Sequence, residues 1–153
     1  MKRTRLVVLS DNRTNNKLLQ TEHGLSVYLE CPSGKYLLDT GASDLFIRNA
    51  KVLGIDLADV DYCLISHGHN DHTGGLVYLA KLYSEAKAEN INHLNPTVIA
   101  HPEAFSYKEF SGDDIGSIFD NKKMSKYFRT RLVSEPLWIT DNIVLINWNI
   151  IPE

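Results

Sequence analysis

Three of the chain's six histidines, with an aspartate among them, fall inside one six-residue stretch, His67-Gly68-His69-Asn70-Asp71-His72. The stretch follows an apolar run, Tyr62-Cys63-Leu64-Ile65, and precedes Gly74-Gly75, where a helical pattern opens. A chain built around it needs a strand to deliver the cluster and a helix to leave it. In extended backbone, residues i and i+2 point the same way, so His67 and His69 can reach one metal ion. Asp71 and His72 come as the chain turns and can face a second. Nitrogen and carboxylate ligands together suit zinc, and also iron or manganese. Gly74 and Gly75 allow close backbone approach. The helix behind them is expected to aim its free N–H groups at the site, favouring an anion there. A lone pair of histidines would say little; four ligands in this order between an apolar strand and a Gly-Gly helix start say much more.

The rest of the chain reads as strands alternating with helices, an α/β class. Leu6–Leu9 is a short apolar strand, followed by a polar, turn-rich stretch to Asn16. Leu25–Glu30 alternates apolar and polar, Pro32-Ser33-Gly34 turns, and Lys35–Leu38 returns, so residues 25–38 form a hairpin that ends at Asp39. Ser43 is placed to cap a helix through Leu45, Phe46, Ala50 and Leu53, with Gly54 as its stop. Leu76, Leu79, Ala80 and Tyr83 give helical spacing over Leu76–Ala88. Thr97–Ala100 is a strand ending at His101-Pro102. Between residues 103 and 128, Phe105, Tyr107, Phe110, Ile118, Phe119, Tyr127 and Phe128 are read as core contacts in preference to a pocket lining. Arg129–Trp148 reads as two strands with Asp141-Asn142 as a turn.

Composition excludes some function classes. A net charge of −3 gives no reason to expect nucleic acid or an anionic membrane as partner. The cysteines, Cys31 and Cys63, make no disulfide framework, and Cys63 reads as a reduced core thiol. The apolar run at the N-terminus is too short for a signal core and no segment reaches transmembrane length. A reducing, cytoplasmic setting and a small-molecule substrate are expected.

The order His-x-His-x-Asp-His, followed by Thr73-Gly74-Gly75-Leu76, resembles the signature of the metallo-β-lactamase superfamily. Asp39, in Leu38-Asp39-Thr40-Gly41, is similar to the superfamily's upstream aspartate, which supports the metal site from behind. Asp11-Asn12, Glu22-His23-Gly24, Asn49-Ala50 and His101-Pro102-Glu103-Ala104-Phe105 complete a resemblance to the branch containing 7,8-dihydropterin-6-methyl-4-(β-D-ribofuranosyl)aminobenzene-5′-phosphate synthase-like proteins. The resemblance implies a four-layered αββα sandwich whose two similar halves both supply ligands. Residues 1–153 would be its N-terminal half, a domain incomplete at the C-terminus.

It also implies a hydrolase. A metal-activated hydroxide would attack a phosphoester or another ester or amide, with a pterin-related substrate in view. His67, His69, Asp71 and His72 would hold divalent metal, zinc first, and Asp71 would also be catalytic. Asp39 would orient the cluster. His23, His101 and Asp11 are candidates for substrate binding, against plainer readings as a structural histidine, a turn residue and a turn cap. His93 is expected at the surface. The alternative is a catalytically incomplete fragment or subunit, needing a complementary second-half chain or, failing that, a second copy of itself.

Overall fold

A computed structural model describes residues 3–91, 93 and 95–146. In chain order its elements are β1 (Arg5–Ser10), β2 (Ser26–Cys31), β3 (Gly34–Leu38), α1 (Leu45–Val52), β4 (Tyr62–Leu64), α2 (Asn70–Thr73), α3 (Leu76–Ala88), β5 (Thr97–Ala100), β6 (Glu109–Phe110), β7 (Asp113–Asp114), α4 (Asn121–Tyr127), β8 (Arg129–Leu132), β9 (Leu137–Thr140) and β10 (Ile143–Leu145). Six strands form the main sheet in the order β1-β2-β3-β4-β5-β8. β2 runs antiparallel to β1 and β3, while β3, β4, β5 and β8 are mutually parallel. Five of the six strands therefore end on one edge of the sheet, together with the start of β2.

The period of two along each strand sorts side chains between two faces. Leu37, Cys63 and Val98 are paired across β3, β4 and β5 and are fully buried. They join a core with Phe46 and Ala50 of α1, Leu76, Leu79, Ala80 and Tyr83 of α3, and Met124 of α4. One residue along, Leu38, Leu64 and Ile99 form the opposite row. That face is covered by Leu137, Ile139, Ile143 and Leu145 of the β9–β10 hairpin. Its coverage stops short of β1, where Leu6 is 64% and Val8 is 44% exposed.

Most predicted elements stand where the patterns put them. Asp44, not Ser43, occupies the N-cap of α1; the Ser43 hydroxyl instead accepts the Leu45 amide. Gly54 follows that helix with φ +66°, the left-handed turn a glycine stop supplies. The segment read as two strands, 129–148, holds three: β8 pairs with β5 in the main sheet, and the turn at Asp141-Asn142 joins β9 to β10. Residues 147 and 148 of that reading lie outside the described residues. The aromatic-rich stretch divides. Phe105, Phe119 and Phe128 are buried, whereas Tyr107, Phe110 and Ile118 are exposed on or beside the β6–β7 hairpin. Cys63 is buried and free, and burial pushes its thiol pKa well up. Among the described residues no helix is long and apolar enough to cross a membrane.

The two faces predict different tolerances. Leu79→Ala, at a position with no exposure, should cost about 2–5 kcal/mol in urea unfolding. Leu6→Ala should stay within about 0.5 kcal/mol.

Candidate metal centre

The edge on which the strands end gathers the polar residues of the sequence pattern. β3 delivers Asp39, β4 delivers Ser66 and His67, β5 delivers His101, and β1 ends beside Asp11. Ends of parallel strands collect functional groups because the following loops converge there.

Asp39 is the anchor. Its side chain is fully buried, and its backbone takes φ +54°, a left-handed conformation that aspartate tolerates better than most residues. Oδ1 accepts the Ser66 amide at 2.8 Å, and Oδ2 accepts the Ser66 hydroxyl at 2.6 Å. Oδ2 also meets His72 Nδ1 at 2.8 Å. With Nδ1 held, the imidazole turns its Nε2 outward, as carboxylate-backed metal histidines do.

The loop from His67 to His72 folds over this carboxylate. The His67 ring lies 4.6 Å from that of His69 and 4.1 Å from that of His72, centroid to centroid. One ligand atom each from His67, His69 and Asp71 lies within 4.8 Å of the others. Asp71 thus stands with the first histidine pair, and its Oδ2 is also 3.5 Å from His72 Nε2. Two imidazoles and a carboxylate converging at this separation fit a divalent ion with bonds of roughly 2.0–2.2 Å.

Backbone contacts hold the loop from both sides. The Thr40 amide and hydroxyl both reach the His72 carbonyl, at 2.8 and 3.0 Å. A Cβ on Gly75 would meet the Thr40 carbonyl at 2.0 Å, so only glycine lets α3 come this close to the Asp39 loop. The expected anion-facing amides are otherwise engaged. Gly74 donates to the Asn70 carbonyl and Gly75 to that of Gly41. On the other side, the Asn70 amide donates to the Ile115 carbonyl at 2.8 Å and His69 bridges to Gly116, which roots the β6–β7 hairpin on the metal loop.

Of the remaining candidates, His23 borders the cleft beside Asp71, and His101 and Asp11 do not line it. His23 Nε2 is 3.3 Å from Asp71 Oδ2. His101 Nδ1 accepts the Glu103 amide and caps the short turn Pro102–Phe105. The Asp11 carboxylate accepts the Asn12 amide, and its carbonyl accepts the Glu22 amide. A cleft of about 410 Å³ opens beside Asp71, lined by His23, Asn70, Asp114, Ser117 and Ile118 among others. A larger depression, about 800 Å³, between Arg13, Gln20 and Arg48 touches none of the candidate ligands. Chemistry, not size, makes the smaller cleft the substrate candidate.

Two structural residues escaped the sequence reading. Ser66 links Asp39 to the loop, and Glu22 binds the Ala42 amide and the hydroxyls of Ser10 and Ser43. Glu22 lies in a motif already noted and Ser66 directly before the histidine cluster, yet neither residue type signals a brace by itself.

The geometry so described is that of a metal-site α/β protein, and a family model for the metallo-β-lactamase superfamily matches residues 20–145. The chain belongs to that superfamily. An uncharacterized protein of Methanocaldococcus jannaschii is 30% identical over 139 residues, covering 90% of this chain and 50% of the relative. The 7,8-dihydropterin-6-methyl-4-(β-D-ribofuranosyl)-aminobenzene-5′-phosphate synthase of the same organism is 34% identical over 95 residues, covering 59% of this chain and 29% of the synthase. A crystal structure of a metal-dependent hydrolase of the β-lactamase superfamily superposes with a TM-score of 0.73 at 34% identity, over 94% of this chain and 48% of that one. A quorum-quenching N-acyl homoserine lactone lactonase, at 17% identity and a TM-score of 0.52, shares the fold over 80% of this chain and 49% of its own. The chain spans about half the length, or less, of these proteins.

Electrostatics give a direct test of the anchor. Burial works against a charge on His72, but the hydrogen bond and negative charge of Asp39 outweigh it and raise the imidazole pKa above its ordinary value. Burial, then the neighbouring His72 and His69, lower that of His67. In the metal-free chain an NMR pH titration should place the two imidazoles on opposite sides of the ordinary value. Since folding raises the His72 pKa, its pairing with Asp39 stabilises the metal-free fold fully below the unfolded imidazole pKa. That contribution is lost as pH rises through the folded value. Asp39→Asn should lower the His72 pKa, leaving only the charge of Asp71 to oppose burial; an unmoved titration would remove Asp39 from this role.

Proposed function

We propose that this chain carries the metal-binding part of a hydrolase acting on a phosphoester or another ester or amide bond. The convergence of His67, His69 and Asp71 is the observation that carries the reading. Zinc is the preferred ion, because two imidazoles and a carboxylate with an open position match its catalytic sites. Such an ion lowers the pKa of a bound water and stabilises negative charge at the reaction centre. His67, His69 and Asp71 would hold such an ion, and Asp71 also borders the cleft. Asp39 fixes the loop from below. The low His67 pKa keeps that ring neutral, the form in which a histidine binds metal. A pterin-related phosphate compound is the substrate that the resemblance to the archaeal synthase favours. Asn70, Ser117 and Asp114 offer it polar contacts on the cleft wall.

A second reading rests on a different observation. The β9–β10 hairpin leaves the β1 end of its face uncovered at Leu6 and Val8, and the chain matches about half of its relatives' length. A complementary half seated on that face would add ligands and complete the site. A second copy of this chain is the weaker alternative.

Metal content per chain, read by elemental mass spectrometry, tests the first reading. The wild type should retain about one to two equivalents of zinc, iron or manganese, and His67→Ala/His69→Ala should lose them. Hydrolysis of bis(p-nitrophenyl) phosphate should follow the metal. A folded wild type that binds no metal and cleaves nothing would leave the second reading in its place.

A further inference from the structure

We propose that the cleft beside Asp71 takes the non-reacting part of the substrate as a group rich in N–H donors, with Asp114 selecting it and Ile118 as its apolar wall. This deepens the hydrolase reading and rests on it. Among the described residues, the lining of the cleft holds two carboxylates, Asp71 and Asp114, and no lysine or arginine. His23, which also lines it, has its Nε2 3.3 Å from Asp71 Oδ2. Lys108, just before β6, gives its ammonium to the Glu103 and Ser106 carbonyls and lines no part of the cleft. An anionic group seated there would face the Asp114 charge with no fixed cation beside it, and like charges repel. A neutral or cationic group of amidine or cyclic-amide type meets the opposite conditions, because its N–H donors match a carboxylate.

The β6–β7 hairpin holds this wall in a set place relative to the metal loop. The Asn70 amide donates to the Ile115 carbonyl at 2.8 Å, the Ile115 amide to the Lys108 carbonyl at 3.0 Å, and His69 bridges to Gly116. The Gly116 amide donates to Asp114 Oδ1 at 2.9 Å, which orients the carboxylate and leaves Oδ2 open to a ligand. The Asn70 side chain lines the same cleft and adds a carboxamide, at once donor and acceptor. Ile118 is 61% exposed, whereas Phe119 beside it is buried. An aliphatic side chain left outside the core on a cleft wall is placed to cover the carbon surface of a ligand. A few polar groups on a partly apolar wall are the make-up of a small-molecule site.

An NMR titration of the metal-free chain with benzamidinium and with benzoate, probes of similar size and opposite charge, tests this. Zinc uptake is measured in parallel. Benzamidinium should shift the amides of Asn70, Ser117 and Ile118 and bind there at least about tenfold more tightly than benzoate. Asp114→Asn should weaken benzamidinium at least about tenfold, and Asp114→Glu should restore part of the loss. Ile118→Ser should weaken it without changing the preference between the probes. All of these positions are exposed or half-buried, and circular dichroism checks that the variants fold. Equal binding of the two probes overturns the proposal, as does unchanged benzamidinium affinity in Asp114→Asn, which would assign the binding to Asp71. Zinc uptake together with either of these results overturns the proposal alone. Selective benzamidinium binding that depends on Asp114, in a chain that takes up no zinc, supports the cleft assignment and overturns the metal-site reading.

Discussion

The carboxylate of Asp39 is the constraint on which the candidate site depends. It has no exposure to solvent and would carry a heavy desolvation cost without partners. Those partners are the Ser66 amide, the Ser66 hydroxyl and the His72 imidazole, all on the far side of β4. Satisfying one buried group therefore ties the end of β3 to both ends of the histidine loop. The positive φ of Asp39 is held by the same bonds together with the Ser26 hydroxyl on its carbonyl.

The sheet makes this arrangement affordable in geometric terms. With β3, β4 and β5 parallel, their carboxyl ends stand side by side, and β1 runs the same way two strands across. Loops from four strands need only short reaches to meet. The Leu25–Asp71 bond, the Thr40–His72 bonds and the hairpin rooted at Ile115 hold the loop of residues 67–72. Such pre-organisation holds ligands close together without an ion present, and their mutual repulsion when protonated is limited by the lowered pKa of His67.

How much of this was legible depends on how local each signal is. The alternation in residues 25–38 and the apolar run before His67 are local, and the hairpin and β4 stand where they were placed. β8 was read as one strand with β9, because Arg-Thr-Arg-Leu is an exposed, charged edge strand whose separate place is set by its pairing with β5. The β6–β7 hairpin has two residues per strand, too few for a period to show. Tyr107, Phe110 and Phe119 look alike in sequence, and tertiary packing alone divides them. The candidate ligands stood out in the sequence because four donor residues crowd into six positions, of which His67, His69 and Asp71 converge. Ser66 and Glu22 did not, since their partners lie 27 and 20 residues away. Asp71's closeness to the His67–His69 pair as well as to His72 also depended on the turn made by α2, which spacing alone did not fix.

The central claim is that a buried aspartate presents His67, His69 and Asp71 to one ion. A crystal structure grown with zinc, with anomalous difference density measured at the zinc edge, tests it most directly. The expected result is a peak about 2.0–2.2 Å from a nitrogen of His67, a nitrogen of His69 and an oxygen of Asp71, with His72 Nδ1 still on Asp39. Zinc bound elsewhere on the chain, or a peak at this loop with Asp39 turned away from His72 and Ser66, would contradict it.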